Sequence, residues 1–588
     1  MKLLFHSKPS EVSLKLQSLA EFLGATVEHI DVAMIGSLQL AAKEAIAVTG
    51  GPIVLDVASL EPKSDAKELR ALAAFFGNYN VTMLLLVSHT SDASAQIVSL
   101  LTNNAIRGLA EGWEVEEVSF STALSGELSC QSYQRKRGKA ANLIPSSTNE
   151  LQVIMTLGGS PTFVCVTNGK MRIFVWVTDG VFDILRPLAA EIEFEQAVDR
   201  YIPAIIFLRS VLGAQCWHNP SPGAGIVIDD PLLKEKYGFI HFPQLLESAR
   251  RHKYYIALAF IPWNHWRTRE KEAQLFRNYS DCFSIYAHGC DHTHHEFGAT
   301  DYDDLLSKNL VALERMERHG YRTGLRSEPL MVCPQEQYSL EAMRAFSDSH
   351  QFMGLICTAC MPRDLASPQI RGADLLLPAQ DSFFGFPVFK RHYSGSMATF
   401  AMALFLGKPA ILVEHHEFFR DGPGAAEKFV ADIARIRPDL KWRRLLETVT
   451  RTHARRRLSR HSWEVRFFTD TFQLEHDREE PTDYRCIRRI PEATLVQRVM
   501  VDGSDVPFVR EDSFLSFEAP AHRPRTMTIK VVVSPIKPIK THSAGVRYHA
   551  SVALRRGLSE FRDNVIARNH FALKAANCVM RCIKEKAR

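Results

Sequence analysis

The chain has 588 residues and a mass of 66.4 kDa, which at about 150 residues per domain predicts three or four domains. Its 46% hydrophobic, 10% aromatic and 23% charged residues are typical of a folded globular protein and exclude extended disorder. No apolar run reaches the roughly 18 residues that cross a bilayer, and MKLLFHSKPS at the start lacks the apolar core of a secretory signal. The sequence therefore predicts a cytoplasmic protein.

The net charge of +5 is unevenly distributed along the chain. Residues 521–588 contain 15 Lys or Arg and three Asp or Glu residues, a net of +12, which leaves −7 for residues 1–520. Such a basic segment predicts binding to a polyanion or a membrane surface, or else a solvated helix face that covers the β domain. Nucleic acid is not expected, because the segment has no interleaved aromatic residues and no known binding module.

Residues 1–215 alternate apolar runs with amphipathic stretches, beginning with KLLF, VSLKLQSLAEFL and GPIVLDVASL. This series is typical of strands that alternate with helices, and it predicts a largely parallel, Rossmann-like α/β domain. Neither a GxGxxG nor a GxxxxGK[ST] phosphate loop occurs, so the sequence indicates no ligand for this domain.

Residues 220–460 contain seven short apolar runs, most of them separated by helical stretches. Strands of continuous apolar residues are typical of a parallel sheet covered on both faces, and seven of them with helical crossovers predict a barrel. The runs are GIVID (225–229), YIALAFI (255–261), FSIYAHG (283–289), PLMVCP (329–334), MGLICT (353–358), LLLPA (375–379) and AILVEH (410–415).

The last two regions have different patterns. Residues 461–545 show short alternating runs that predict a small antiparallel β domain. Residues 546–588 have apolar residues at spacings of three, four and seven, which predict an amphipathic helix, or a broken pair of helices, with a basic polar face.

Metal-competent residues follow three of the seven runs. Asp229-Asp230 ends the first run, four histidines lie between His288 and His295 after the third, and His415-His416 ends the last. Because parallel barrel strands end at one mouth, these segments are expected to converge there.

His288 and His292 are four residues apart and are expected to face one ion, with Asp291 and Glu296 as supporting hydrogen-bond partners. Two histidines and one carboxylate leave coordination positions open, as in a catalytic metal site.

The two paired motifs leave alternatives open. One of Asp229 and Asp230 can face the metal while the other faces the substrate water, but the pair can also cap a helix before Pro231. A histidine at 415 or 416 can donate a proton to a leaving group, act as a further metal ligand, or cap a turn.

Together, Asp229-Asp230, the HxxxH motif from His288 to His292 and the strand ending at His415-His416 resemble the NodB-type polysaccharide deacetylases. These metal-dependent carbohydrate esterases have a (β/α)7 barrel, and the resemblance covers residues 220–430. It implies that Asp229 is the general base, that Asp230, His288 and His292 bind a divalent ion, and that His415 or His416 is the general acid. The implied ion is zinc, with cobalt, nickel or manganese as alternatives.

The chain departs from the family pattern at several positions, which indicates a divergent member. The arginine of the family's arginine-proline motif is missing, because that strand reads Met331-Val332-Cys333-Pro334. Its role in orienting the base would pass to Arg326 or Arg391. Other departures are Val227-Ile228 in place of Thr-Phe, Pro231 in place of Gly, and Gly289 in place of Ser or Thr.

The resemblance predicts metal-dependent hydrolysis of an N-acyl group, such as N-acetyl, from an amino sugar in a polysaccharide, glycolipid or sugar precursor. Trp263, Trp266 and Arg391 are candidate sugar-binding residues, although the two tryptophans can equally pack on the barrel rim. One alternative is a barrel that has lost turnover and serves as a carbohydrate-binding or assembly protein. Another is a metal-dependent amidase with a non-sugar substrate.

Overall fold

The structure is a computed structural model that describes residues 1–5, 8–35, 40–43, 52–60, 66–146, 151–168, 170–363, 370–534 and 545–568. It divides into two compact units. The first comprises Met1–His218, Pro368–Leu376 and Arg456–Arg460, and the second comprises Asn219–Ser367, Leu377–Arg455 and His461–Arg588. Within the described ranges, no helix has the length and apolarity required to span a bilayer.

A nine-stranded mixed sheet forms the centre of the first unit. Its first five strands in sheet order are parallel, as the sequence predicts: Glu28–Asp31, Lys2–Phe5, Ile53–Asp56, Thr82–Val87 and Met171–Val177. The other four are antiparallel, which departs from the predicted parallel sheet: Ser160–Asn168, Leu151–Leu157, Glu114–Phe120 and Ser132–Lys139.

The change in strand direction follows from the connections. The strands up to Val87 are joined by helices, whereas the strands on either side of Gly158-Gly159 are joined by a tight hairpin in which both glycines have positive φ. Two further strands pair with each other, Ile106–Ala110 and Asn142–Pro145. Among the described residues, the helices of this unit are Glu11–Phe22, Val32–Ile35, Val57–Leu60, Ala66–Gly77, Asp92–Leu101, Ile192–Glu195, Ile202–Leu212 and Gly372–Leu375.

The second unit is built on a sheet of seven parallel strands. His392 exchanges backbone hydrogen bonds of 2.9 Å with Ile411 and Val413, which joins the two ends of the sheet order at this point. An eighth, two-residue strand, Lys441–Trp442, also pairs with the first strand of the chain order. In sheet order the seven are Val388–Lys390, Leu355–Cys357, Ser327–Val332, Phe283–His288, Ile256–Phe260, Gly223–Asp229 and Ala410–Glu414.

Six of these strands coincide with the predicted apolar runs, but the prediction of a strand at LLLPA (375–379) is wrong. Gly372–Leu375 is helical and the residues that follow it form bends, so the sixth strand in chain order is Val388–Lys390. Pro378 has no backbone N–H to donate, which disfavours a central strand there.

Helices connect most of the seven strands. The longest, Tyr302–Thr323, begins where the Asp301 side chain accepts the N–H of Asp304 at 2.9 Å and ends at Gly324, whose φ is +70°. The other helices of this region are Phe242–His252, Glu270–Asn278, Leu340–Ser349, Met397–Phe405, Gly424–Ile436 and Leu445–Arg451.

Residues 453–534 form two β-sheets, in agreement with the predicted β-rich region. Ser462–Phe467 and Thr482–Arg489 pair in parallel, Phe514–Ala521 is antiparallel to both of its neighbours, and the neighbouring strands of the second sheet are antiparallel. One sheet contains His453–Arg457, Ser462–Phe467, Thr482–Arg489, Phe514–Ala521 and Phe508–Glu511; the other contains Thr471–His476, Arg525–Val533, Val496–Val501 and Ser504–Val506.

The chain then forms the C-terminal helix, Val546–Asn564, and a 3-10 turn at Ile566–Arg568. The predicted continuation over residues 569–588 lies outside the described residues. The helix packs on the region around the parallel sheet through polar side chains: Tyr548 contacts Asp291, and Asp563 contacts Tyr237. Its apolar residues Leu554 and Leu558 are 67% and 61% exposed, which is the reverse of the usual orientation of an amphipathic helix.

Candidate metal and active site

Asp230, His288 and His292 meet at the carboxyl ends of two strands of the parallel sheet, Gly223–Asp229 and Phe283–His288. His292 Nε2 lies 3.0 Å from Asp230 Oδ1 and 3.2 Å from His288 Nε2, and His288 Nε2 lies 3.5 Å from the same oxygen. Ligand atoms bound at about 2.0–2.1 Å to one tetrahedral zinc ion are themselves about 3.3 Å apart. The three predicted ligands therefore form a triangle of the size that one ion requires.

His288 and Asp230 have the protonation that metal binding requires. His288 Nδ1 lies 3.2 Å from the carbonyl oxygen of Val332, so Nδ1 carries the proton and the Nε2 lone pair faces the triangle. Burial lowers the pKa of His288 to about 4, so its imidazole is neutral near pH 7. Burial raises the pKa of Asp230, but His292, His288 and Arg556 together bring it well below its usual value. A donor set of two imidazoles and one carboxylate fits zinc, cobalt, nickel or manganese.

The backbone around the triangle has an unusual conformation. Asp230 and His292 both have positive φ, +74° and +58°, which non-glycine residues seldom adopt. The Glu296 carboxylate holds the second segment in place, because it accepts the backbone N–H groups of Cys290, Asp291 and His292 at 3.0, 2.6 and 3.1 Å.

The glycine at position 289 follows from the same loop. Its φ is +64°, and a Cβ atom there would lie 2.4 Å from Glu296 Oε2 and 2.5 Å from Pro334 Cγ. A serine or threonine at this position would clash with both groups. Glycine at position 289 therefore leaves the room that the Glu296 carboxylate occupies in this loop.

A second cluster, Cys290, Asp291 and Glu296, has its atoms close enough to hold a metal. Its carboxylates, however, already have protein partners. Asp291 pairs with Arg315 and accepts the Tyr548 hydroxyl at 2.8 Å, and Glu296 accepts backbone N–H groups. This cluster is a satisfied hydrogen-bond network, and Glu296 supports His292 through the backbone rather than through the imidazole.

Asp229 points to a different partner from its neighbour. Arg391 donates to its two carboxylate oxygens at 2.8 and 2.7 Å, and Arg391 Nε donates to Glu336 at 3.1 Å. Burial raises the pKa of Asp229, but Arg391, with His288 and His415, outweighs it and leaves the pKa lowered. Asp229 is therefore an ionised carboxylate held in a fixed orientation.

Arg391 is 1% exposed, and its guanidinium donates to the carboxylates of Asp229 and Glu336. These hydrogen bonds fix the orientation of the Asp229 carboxylate. Arg326, the other candidate for the missing motif arginine, is exposed and borders a surface groove with Tyr321 and Glu328.

The two adjacent histidines have different environments. His415 is half-buried, stacks on Tyr393 with ring centroids 6.3 Å apart, and is among the charges that act on Asp229. His416 is 4% exposed, stacks on Phe239 at 5.7 Å, and places Nε2 3.5 Å from Asp563 of the C-terminal helix. The two histidines thus differ in burial and in the groups that they contact.

The two predicted sugar-binding tryptophans are also distinct. Trp263 stacks on His549 of the C-terminal helix at 5.6 Å and has the Arg315 guanidinium 5.1 Å from its ring centre. Trp266 is 62% exposed, with Arg267 5.7 Å from its ring centre. Of these two tryptophans, Trp266 presents the more exposed ring.

The C-terminal helix supplies residues of the site that the sequence did not indicate. Tyr548 donates to Asp291, Tyr237 donates to Asp563 at 2.7 Å, and Arg556 Nη1 lies 3.2 Å from His292 Nδ1. These pairs are more than 250 residues apart in sequence, and no local motif marks them.

The contact between Arg556 and His292 affects metal binding. A guanidinium can only donate, so His292 Nδ1 accepts and the imidazole proton lies on Nε2, facing Asp230. A metal-bound Nε2 requires the opposite tautomer. The Arg556 contact and ligation by His292 therefore exclude each other.

No protein-family model matches the sequence, and no curated protein sequence matches it. Among solved structures, a family 4 carbohydrate esterase from Bacillus anthracis is 12% identical, with coverage of 37% of this chain and 78% of that chain and a TM-score of 0.24. A family 4 carbohydrate esterase from Streptomyces lividans, solved in complex with acetate, is 12% identical, with coverage of 37% and 87% and a TM-score of 0.22. A cytoplasmic protein from Salmonella typhimurium LT2 is 13% identical, with coverage of 36% and 99% and a TM-score of 0.25. These likenesses are too weak to assign the chain to a family.

Proposed function

We propose that the protein is a metal-dependent deacetylase that removes an N-acyl group, such as acetyl, from an amino sugar. The observation that carries this proposal is the adjacent pair Asp229-Asp230, in which one carboxylate is held by Arg391 and the other completes a triangle with His288 and His292. One strand end thus offers both a fixed base and a metal ligand.

Asp230, His288 and His292 would hold the ion. A divalent ion bound there supplies Lewis acidity toward the acyl carbonyl and lowers the pKa of water. Zinc fits this donor set best, and cobalt, nickel and manganese are the alternatives.

Asp229 acts as the general base and takes a proton from the attacking water. Arg391 keeps that carboxylate ionised and oriented, because its two N–H donors fix both oxygens. His415 donates a proton to the sugar nitrogen as the C–N bond breaks, whereas His416 is packed against Phe239 and serves the structure.

The substrate is an N-acylated amino sugar in a polysaccharide, glycolipid or sugar precursor. Trp266 is the candidate platform for the apolar face of the sugar ring, because its indole is exposed.

Acetate release from N-acetylglucosamine oligomers and from a nucleotide-linked N-acetyl sugar tests this proposal. Wild-type protein loaded with zinc should release acetate, and Asp229→Asn should release at least about a hundredfold less. Glu417→Gln, an exposed carboxylate near His416, is the matched control and should keep wild-type activity. Equal rates for wild type and Asp229→Asn would refute the mechanism, and sugar binding without acetate release would indicate a binding protein instead.

A further inference from the structure

The two faces of the C-terminal helix differ in their contacts and in their exposure to solvent. Its inner face binds the barrel through polar side chains, including Tyr548, Arg556, Glu560 and Asp563. These contacts fix which side of the helix faces outward.

The outer face carries a continuous apolar stripe. Leu554, Leu558, Phe561 and Val565 are spaced by four, three and four residues, so they lie on one side of the helix over three turns. Their exposed fractions are 67%, 61%, 53% and 53%. Contiguous exposed apolar side chains of this size usually mark a binding surface.

The exposed charged side chains of the helix segment are all arginines. Arg547, Arg562 and Arg568 are exposed, whereas both carboxylates of the helix are turned inward, one of them as the 2.7 Å partner of Arg562. Glu560 pairs with Lys234 and Arg267, and Asp563 is 2% exposed. The sequence after the helix, residues 569–588, adds five Lys or Arg residues and one Glu.

We propose that this stripe and its flanking arginines bind the surface of an anionic lipid bilayer. An exposed face of leucine, phenylalanine and valine bordered by arginine, with no carboxylate, is the composition of an interfacial helix. A second copy of the chain is a poorer occupant, because a symmetric pairing would bring the same arginines together. A soluble polyanion would leave the apolar stripe exposed.

Binding to a bilayer also fixes where the barrel mouth lies. The inner face of the helix contacts His292 and Asp291, and a helix with its side chains is about 10–12 Å across. The candidate metal site would therefore lie about one helix diameter from the lipid surface. This inference does not depend on the proposed deacetylase activity.

Co-sedimentation of the full-length protein with vesicles tests the proposal. Wild-type protein should bind vesicles of phosphatidylcholine with phosphatidylglycerol, and it should bind phosphatidylcholine alone more weakly. The double variant Leu558→Asp/Phe561→Asp should lose at least about tenfold in affinity, because two charges would enter the lipid interface.

The matched control is Leu495→Asp/Val509→Asp, which changes two side chains that are 66% and 54% exposed elsewhere in the same unit. It should bind like wild type, and thermal unfolding should show that both double variants remain folded. Absence of wild-type binding, or equal binding by Leu558→Asp/Phe561→Asp, would overturn the proposal. If wild-type protein binds no vesicles but is a dimer by light scattering, and Leu558→Asp/Phe561→Asp is a monomer, the stripe binds a second copy of the chain instead.

Discussion

Arg391 donates two hydrogen bonds, of 2.8 and 2.7 Å, to the carboxylate of Asp229, although the two residues are 162 positions apart in the sequence. Asp229 ends the strand Gly223–Asp229, and Arg391 directly follows the strand Val388–Lys390. Both side chains are nearly excluded from solvent, at 4% and 1% exposure. The carboxyl ends of two strands of the parallel sheet thus bring this ion pair together.

Arg391→Lys should lower kcat on the order of tenfold to a hundredfold, because a single ammonium cannot hold both oxygens of Asp229. Arg391→Met should also move the acid limb of the kcat/KM profile to higher pH. Arg391 lowers the pKa of Asp229, so its loss raises that pKa, and the base becomes protonated at a higher pH.

Metal analysis separates this effect from loss of the ion, since Arg391→Lys should retain the wild-type metal content. Arg326→Met, at an exposed position, is the control and should leave the pH profile unchanged. An unshifted acid limb in Arg391→Met would contradict the role given to Arg391.

The two histidines after the strand Ala410–Glu414 should respond differently to substitution. His415→Gln should lower kcat by about a hundredfold or more with little change in stability, because it loses the proton donor. His416→Gln should lower the free energy of unfolding by about 1–3 kcal/mol, because its ring packs against Phe239 and Tyr237. Activity assays and chemical unfolding of both variants test this assignment. Loss of activity in His416→Gln and loss of stability in His415→Gln would show that the roles of the two histidines are reversed.

Arg556→Gln should strengthen metal binding. The Arg556 guanidinium faces His292 and contributes to the lowered pKa of Asp230, so it repels a cation at the same place. Removing this charge should tighten zinc binding on the order of tenfold, as measured by competition with a chromophoric chelator. Arg547→Gln, at an exposed position of the same helix, should leave the affinity unchanged. Weaker zinc binding by Arg556→Gln would show that the arginine supports the site rather than opposing the ion.

Stability should fall in acid because of His319. This side chain is fully buried, accepts or donates a hydrogen bond with Thr268 at 2.8 Å, and lies against Phe260. Burial lowers its pKa from 6.5 to about 4. Below about pH 6.5 the His319 imidazole binds a proton in the unfolded chain but stays neutral in the folded protein. The free energy of unfolding therefore decreases as the pH falls from 6.5 to about 4.

The contribution of His319 is at most about 3–4 kcal/mol, at about 1.4 kcal/mol for each unit of pKa. In urea unfolding between pH 7 and 4.5, the free energy of unfolding should therefore decrease less steeply with falling pH for His319→Gln than for wild type. His522→Gln, at an exposed position, should follow wild type. The same acid slope in wild type and His319→Gln would rule out this residue as the cause.

The convergence of Asp230, His288 and His292 could be predicted because each follows a continuous apolar strand, and parallel strands end at a common edge. For the partner of Asp229, the sequence indicated two candidates, Arg326 and Arg391, and did not distinguish between them. Arg391 follows the strand Val388–Lys390, which has three residues and is too short to give a periodic signal, so the sequence placed a strand at LLLPA instead.

The C-terminal helix was predicted as an amphipathic helix, but the face that packs could not be read from the sequence. The usual rule places the apolar stripe inward, whereas Leu554 and Phe561 face outward and Asp563 is buried. The inner contacts pair polar groups with residues such as Asp291 and Tyr237, more than 250 positions away. Such pairings depend on the tertiary fold and leave no local pattern.

The metal content of the purified protein tests the central claim most directly. Wild-type protein dialysed against zinc should retain about one ion per chain by elemental analysis, and Asp230→Ala and His288→Ala should each retain none. His294→Ala, an exposed histidine two residues beyond His292, is the control and should retain the wild-type amount. Equal zinc content in wild type, Asp230→Ala and His288→Ala would contradict the assignment of the site.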